Sequence, residues 1–165
     1  MKVNRGLLAV FLAYTVVMGG CAPRVKTVTD LPTNITERQA QDWDAAVANL
    51  HKIAAASHAI GEGIVTLNKD GLFPDGPAYV KALQALGKID QFQITAATLL
   101  QKSPNTFDAG TKARVQGYVQ QISAAILELN NAGATGIKNP GKLQEVNNLV
   151  LQLTASVNLV LALTQ

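Results

Sequence analysis

Sulfur-containing residues are scarce in this chain of 165 residues, which has one cysteine, Cys21, and two methionines, Met1 and Met18. A single thiol excludes an intramolecular disulfide, and the Cys-x-x-Cys-His motif of haem attachment is missing. If the segment before Cys21 is removed, both methionines leave with it, which excludes a His/Met pair of haem ligands and argues against soft-ligand copper sites. We therefore expect no cofactor.

Aromatic residues are also few, at 5% of the chain, whereas hydrophobic residues reach 48%. A single domain of this length can bury a proper core. A composition rich in alanine, leucine and valine favours helices packed through small and aliphatic side chains over a β-sandwich. The expected fold class is all-α.

The chain also lacks a large excess of positive or negative charge. The formal net charge is +3, but Lys2 and Arg5 are two of the 14 basic residues, and the rest of the chain keeps 12 basic against 11 acidic residues. No run of like charge and no basic stripe marks a surface for a phosphate backbone. We therefore expect no nucleic-acid partner.

The first twenty residues have the layout of an export signal. Lys2 and Arg5 supply positive charge, residues 6–18 are apolar and uncharged, and two glycines precede Cys21. A secretory signal peptide has this order. The apolar stretch is short for a transmembrane helix, which needs about 20 residues, so an uncleaved anchor is the alternative.

The motif Met18-Gly19-Gly20-Cys21 resembles the lipobox of bacterial lipoproteins, in which a hydrophobic residue and two small ones precede a lipidated cysteine. The resemblance covers residues 1–21 only. It implies that Cys21 receives lipid, that the chain is cut between Gly20 and Cys21, and that the product is anchored to a membrane facing the periplasm. Ala22, where an inner-membrane retention signal would have aspartate, implies the outer membrane. Ordinary secretory cleavage after Ala22 is the alternative.

The remaining chain divides into a short tether at 21–35 and a helical domain at 36–165. Turn and breaker residues without sustained periodicity fill the tether, whereas apolar residues in the domain recur at spacings of three and four. Four long helices with short connections favour an antiparallel up-down four-helix bundle.

Local signals set the expected ends of the helices. The first helix is predicted from Thr36 to about Asn68, the second from Pro77 to about Lys102, and Asp108 is the predicted cap of the third. Residues 130–141 are predicted to form a flexible loop before the fourth helix.

Each helix has a predicted core face. The second helix presents Tyr79, Leu83, Leu86, Ile89, Gln93, Ala97 and Leu100, and the fourth presents a heptad seam of Leu143, Val146, Val150, Leu153, Val157 and Val160. No charge occurs from Val146 to Gln165, so the fourth helix is predicted to be nearly fully buried. Membrane contact is the alternative.

Candidate metal ligands are few and weak. His51, His58 and Glu62 share one flank of the first helix, but His51 is about 10 Å from His58, the nearer of the other two, along the axis. Asp90 could add a ligand from another helix, although nothing in the sequence supports it. We therefore expect no metal site. The segment 68–71 is similar to a calcium loop only in its first residues and is predicted to be a simple turn.

No serine has the sequence context of an activated nucleophile, so we expect no enzymatic activity. The leading hypothesis is a lipid-anchored envelope protein whose bundle acts as an interaction or structural module, with a protein partner or self-association. A carrier or sensor of a small apolar ligand is a second hypothesis, because Gly61, Gly63, Gly87 and Gly117 could leave room between helices. A phage- or plasmid-encoded lipoprotein that blocks a receptor is a third.

Overall fold

The computed structural model describes residues 37–102 and 108–165, so the predicted signal peptide, the Cys21 motif and the predicted tether lie outside the described residues. The described part is all-α, as the composition predicts. Its four helices are α1 (Glu37–Lys69), α2 (Pro77–Lys102), α3 (Ala109–Gly136) and α4 (Pro140–Leu163).

Two of the helices begin at side-chain caps. Asp108 accepts a hydrogen bond from the backbone N–H of Thr111 at 2.7 Å, which confirms the predicted cap of α3. Asn139 caps α4 in the same way through the N–H of Lys142 at 3.1 Å, and Pro140 follows in the first turn. These caps satisfy N–H groups that have no partner inside the helix.

The helices form an antiparallel bundle in which each packs chiefly on two neighbours. The most extensive contact is between α2 and α3, followed by α1 with α4, then by α1 with α2 and α3 with α4. The α1–α2 and α3–α4 connections meet at one end, where the N–H of Lys138 donates to the carbonyl of Leu72 at 3.1 Å. The short connections between packed neighbours give the up-down order of the helices, and the four-helix bundle predicted from the sequence is confirmed.

The core face of α2 differs in part from the predicted one. Leu83, a predicted core residue, is 38% exposed, and Ala97 is only half-buried. The residues buried instead are the small ones Ala82, Ala85 and Ala96. Small side chains let neighbouring helices approach closely. The three- and four-residue spacing of the larger apolar residues predicted a different face of α2.

The third helix extends beyond its predicted end. Residues 130–136, predicted to begin a flexible loop, continue α3 as far as Gly136. Each glycine in a helix costs about 1 kcal/mol relative to alanine. Packing offsets this cost, because Ala132 and Gly133 are buried and Ile137, directly after the helix, is 6% exposed.

The prediction of a nearly fully buried fourth helix is wrong. The predicted seam is correct in that Val146, Val150, Leu153, Val157 and Val160 are buried, with Leu143 half-buried. However, only 28% of the most apolar 18-residue window of α4 is buried. The bundle has four helices in a ring, so each helix keeps an outer face exposed.

Candidate functional site

The candidate metal ligands do not converge. His58 Nε2 lies 3.3 Å from Glu62 Oε1 one turn away, and both side chains are more than half exposed. His51, two turns before His58 in α1, is also exposed. Within residues 37–102 and 108–165, no group of three His, Cys, Asp or Glu side chains is placed to hold a metal ion.

Asp90, the possible ligand from α2, instead contacts Ser57. The Ser57 hydroxyl is buried at 1% exposure and donates a 2.7 Å hydrogen bond to Asp90 Oδ1 across the α1–α2 contact. This pair satisfies a buried hydroxyl and aligns two helices. The Ser123 hydroxyl donates to the carbonyl of Val119 in its own helix.

The segment that faintly resembled a calcium loop is a structural turn. Gly71 has a φ of +70°, a conformation that favours glycine. The Asn68 side-chain amide donates to the carbonyl of Phe73 and to Asp75 Oδ1, at 3.0 and 2.9 Å. The turn thereby places Phe73, which is fully buried, under the end of the bundle.

The glycines proposed to leave room for a ligand have no side chain packed tightly against them. A methyl group at Gly63, Gly87 or Gly117 would meet no atom within 4 Å, and Gly87 is exposed. At Gly61 the methyl group would make ordinary contact with Leu86 Cδ1 at 3.8 Å.

A hollow of about 410 Å³ lies at the opposite end of the bundle, where α1 and α3 begin and α4 ends. Its lining includes Arg38, Asp42 and Lys112, together with Leu163 of α4. Apolar ligands bind in pockets lined mainly by hydrophobic and aromatic side chains. The charged lining of this hollow does not match such a ligand.

Two exposed leucines lie on the outer face of α4. Exposed residues of α4 that face away from the seam form an outer stripe with three- and four-residue spacing: Asn148, Leu151, Ala155, Leu159 and Ala162. Leu151 and Leu159 are 65% and 53% exposed. In the part of the chain that the structure describes, α4 is also the one helix long and apolar enough to cross a membrane, by length and composition alone.

Sequence reasoning missed the outer stripe because it assigned the whole apolar helix to the core. A signal was nevertheless present, since Leu151 and Leu159 fall outside the heptad seam and are two turns apart on the opposite side. Other exposed apolar residues are Val80 and Leu83, three residues apart on α2, Ile94 on the same helix and Leu127 on α3. Single exposed hydrophobic residues are normal on protein surfaces.

Comparisons with protein-family models, curated proteins and solved structures found no match.

Proposed function

We propose that this chain is a lipid-anchored, non-enzymatic protein of the bacterial envelope, whose helical bundle acts as an interaction or structural module. The observation that carries the proposal is the position of the only cysteine. Cys21 follows an uncharged apolar run and two glycines, at the place where a lipoprotein is cut and lipidated. A lone thiol at this position has a direct role as a lipid attachment point.

Lipid on Cys21 would be sufficient to hold the protein at a membrane. Each buried CH₂ group contributes about 0.8 kcal/mol, so a single chain binds marginally and two or more chains give stable anchoring. By its resemblance to lipoproteins, a diacylated cysteine supplies two chains. Ala22 at the next position supports the outer membrane, facing the periplasm.

The arrangement of the polar groups supports an interaction module rather than an enzyme. Ser57 and Asp90 bond to each other between helices, and Asp108 caps α3. The pair formed by His58 and Glu62 is exposed and lies on one helix. These groups stabilise the bundle or lie in solvent, while the outer stripe of α4 offers an apolar surface to a partner.

The anchor can be tested by metabolic labelling with a fatty-acid probe in cells that produce the full chain. We expect label on the natural chain and its recovery in the outer-membrane fraction. Cys21→Ser should lose both, because serine has no thiol for thioether formation. Leu127→Ser serves as the matched control, since it introduces the same residue at an exposed position of α3 and should keep label and location.

Either of two results would refute the proposal. Label that persists in Cys21→Ser would show that another group is modified. A natural chain that is unlabelled and recovered in the soluble fraction would show that no lipid anchor forms.

A further inference from the structure

The connection between α1 and α2 contains the only two aspartate–glycine bonds of the chain, Asp70–Gly71 and Asp75–Gly76. In such a pair the backbone nitrogen of glycine can reach the side-chain carboxyl carbon of aspartate, because glycine has no Cβ to obstruct it and adopts many backbone angles. Both aspartates are exposed. The two bonds have the same local chemistry, so the surrounding structure decides which of them reacts.

The Asp70–Gly71 bond lies inside a hydrogen-bonded turn. The backbone N–H of Asp70 donates to the carbonyl of Thr66 at 3.0 Å, and that of Gly71 donates to the carbonyl of Asn68 at 2.9 Å. The next two backbone N–H groups both donate to the carbonyl of Leu67. The Gly71 nitrogen therefore attacks the Asp70 carboxyl only after the turn opens locally.

The Asp75–Gly76 bond lies beyond this turn, directly before α2. Among residues 37–102 and 108–165, no atom accepts a hydrogen bond from the Gly76 N–H. The Asn68 side-chain amide donates to Asp75 Oδ1 at 2.9 Å in an exposed contact. A donor at this oxygen withdraws electron density from the carboxyl carbon, which is the atom that the nitrogen attacks. Both reacting groups of this pair are therefore accessible without opening of the turn.

We propose that Asp75–Gly76 is a site of spontaneous covalent modification, at which aspartate becomes isoaspartate, and that the hydrogen-bonded turn protects Asp70–Gly71. This inference goes beyond the proposed function and does not depend on lipid at Cys21. It concerns a slow chemical change of the folded chain that needs no catalyst, because the two reacting groups belong to neighbouring residues.

The reaction has two steps. The Gly76 nitrogen bonds to the side-chain carboxyl carbon of protonated Asp75, the N–H proton and the carboxyl hydroxyl leave as one water molecule, and a five-membered succinimide ring forms. Water then breaks the bond between this nitrogen and the original backbone carbonyl carbon of Asp75. The main chain now runs through Cβ and Cγ. One water is lost and one is gained, and nothing is oxidised or reduced.

The modification would disturb the start of α2. The isomer at position 75 lengthens the main chain by one methylene group and shortens the free carboxylate, so the contact with Asn68 is lost. It also displaces Gly76, whose carbonyl accepts a hydrogen bond from the N–H of Val80 at 3.1 Å. Phe73 and Tyr79, whose rings are in edge-on contact, lie on either side of this position along the chain. We therefore expect the modified chain to have a lower Tm.

Trypsin gives a direct assay, because cleavage after Lys69 and Lys81 releases both bonds in one peptide, residues 70–81. The purified full chain is aged in warm neutral buffer and digested. The peptide isomers are then separated by liquid chromatography and assigned by electron-transfer fragmentation. In the folded chain we expect roughly tenfold more isoaspartate at Asp75 than at Asp70, because Asp70 reacts only after local opening. In the chain unfolded by urea, the two sites should react at similar rates.

Glutamate substitutions are the matched variants. Asp75→Glu should lower the total isoaspartate in residues 70–81 roughly tenfold, because the longer side chain would have to close a six-membered ring. Asp70→Glu makes the same change at the other exposed aspartate of the connection and should leave the isoaspartate at Asp75 unchanged. The Tm of the natural chain should fall on ageing, whereas the Tm of Asp75→Glu should not.

Three results would overturn the inference. Equal isoaspartate at the two sites of the folded chain would show that the turn gives no protection. Isoaspartate mainly at Asp70 would assign the modification to the wrong bond. A folded chain that forms none at Asp75, under ageing that produces it in the unfolded chain, would show that the folded connection blocks the reaction.

Discussion

The ring of Phe73 packs directly over Gly136, and a methyl group on Gly136 would overlap the ring and the side chain of Ala78. Phe73 also makes an edge-on contact with Tyr79, with ring centroids 5.6 Å apart and planes at 78°. The turn after α1 and the last residue of α3 therefore fit together at one end of the bundle, and this fit sets where α3 ends.

This fit predicts that Gly136→Ala destabilises the bundle although alanine is the better helix former. Overpacking in a closed site costs about 1–3 kcal/mol. Gly117→Ala is the control, since the added methyl group meets no atom within 4 Å, and it should raise the free energy of unfolding by about 0.5–1 kcal/mol. Chemical denaturation measures both changes, and equal effects of the two substitutions would contradict the close contact.

The Ser57–Asp90 hydrogen bond predicts that substitutions of its two partners lower the free energy of unfolding by unequal amounts. Asp90→Ala leaves the buried Ser57 hydroxyl without its acceptor and should lower the free energy of unfolding by about 1–2 kcal/mol. Ser57→Ala removes the buried hydroxyl itself and leaves an exposed carboxylate in water, so its effect should stay within about 0.5 kcal/mol. Asp90→Asn keeps an acceptor oxygen and should resemble the natural chain. If Ser57→Ala were the more damaging change, the bond would not have the role described.

Capping by Asp108 predicts a pH-dependent contribution to stability. The hydrogen bond from the backbone N–H of Thr111 is the main cause that lowers the pKa of Asp108, and the positive charge of Arg114 adds to it. Because the pKa is lower in the folded state, the stabilisation is present at neutral pH and is lost as the pH falls through the lowered value.

The measurement is the Tm of the natural chain, Asp108→Ala and Asp108→Asn across acidic pH. At neutral pH, Asp108→Ala should lower the Tm by a few degrees through loss of the cap. Asp108→Asn should lower it less, because asparagine also caps helices. The difference between the natural chain and Asp108→Asn should shrink on acidification, and a difference that grows would contradict the sign of the pKa shift.

Much of the fold is predictable because the signals that define helices are local. Apolar residues at three- and four-residue spacing indicate the four helices, Asp108 marks the start of α3, and Pro77 marks the start of α2. The α4 seam is also correct, since Val150 and Val157 keep the heptad phase over several turns. These features depend on residues within a turn or two of each other, so the sequence alone contains them.

Features that depend on contacts between distant segments were not predictable in the same way. Residues 130–136 include asparagine, threonine and glycine, which have low helix propensity, yet they are helical, and Phe73, more than 50 residues earlier, packs against their end. Leu83 has the same apolar character as its buried neighbours, but α2 presents alanines to the core and leaves Leu83 exposed. Which residue of an apolar group is buried depends on how each helix is rotated against its neighbours.

For the candidate site, the sequence by itself determined the position of the single cysteine and the lack of charge from Val146 to Gln165. Only the tertiary structure decided that Leu151 and Leu159 face outward, because a ring of four helices can cover one face of each helix and not the opposite one. Hydrophobicity is a property of each residue, whereas exposure is a property of the packed bundle.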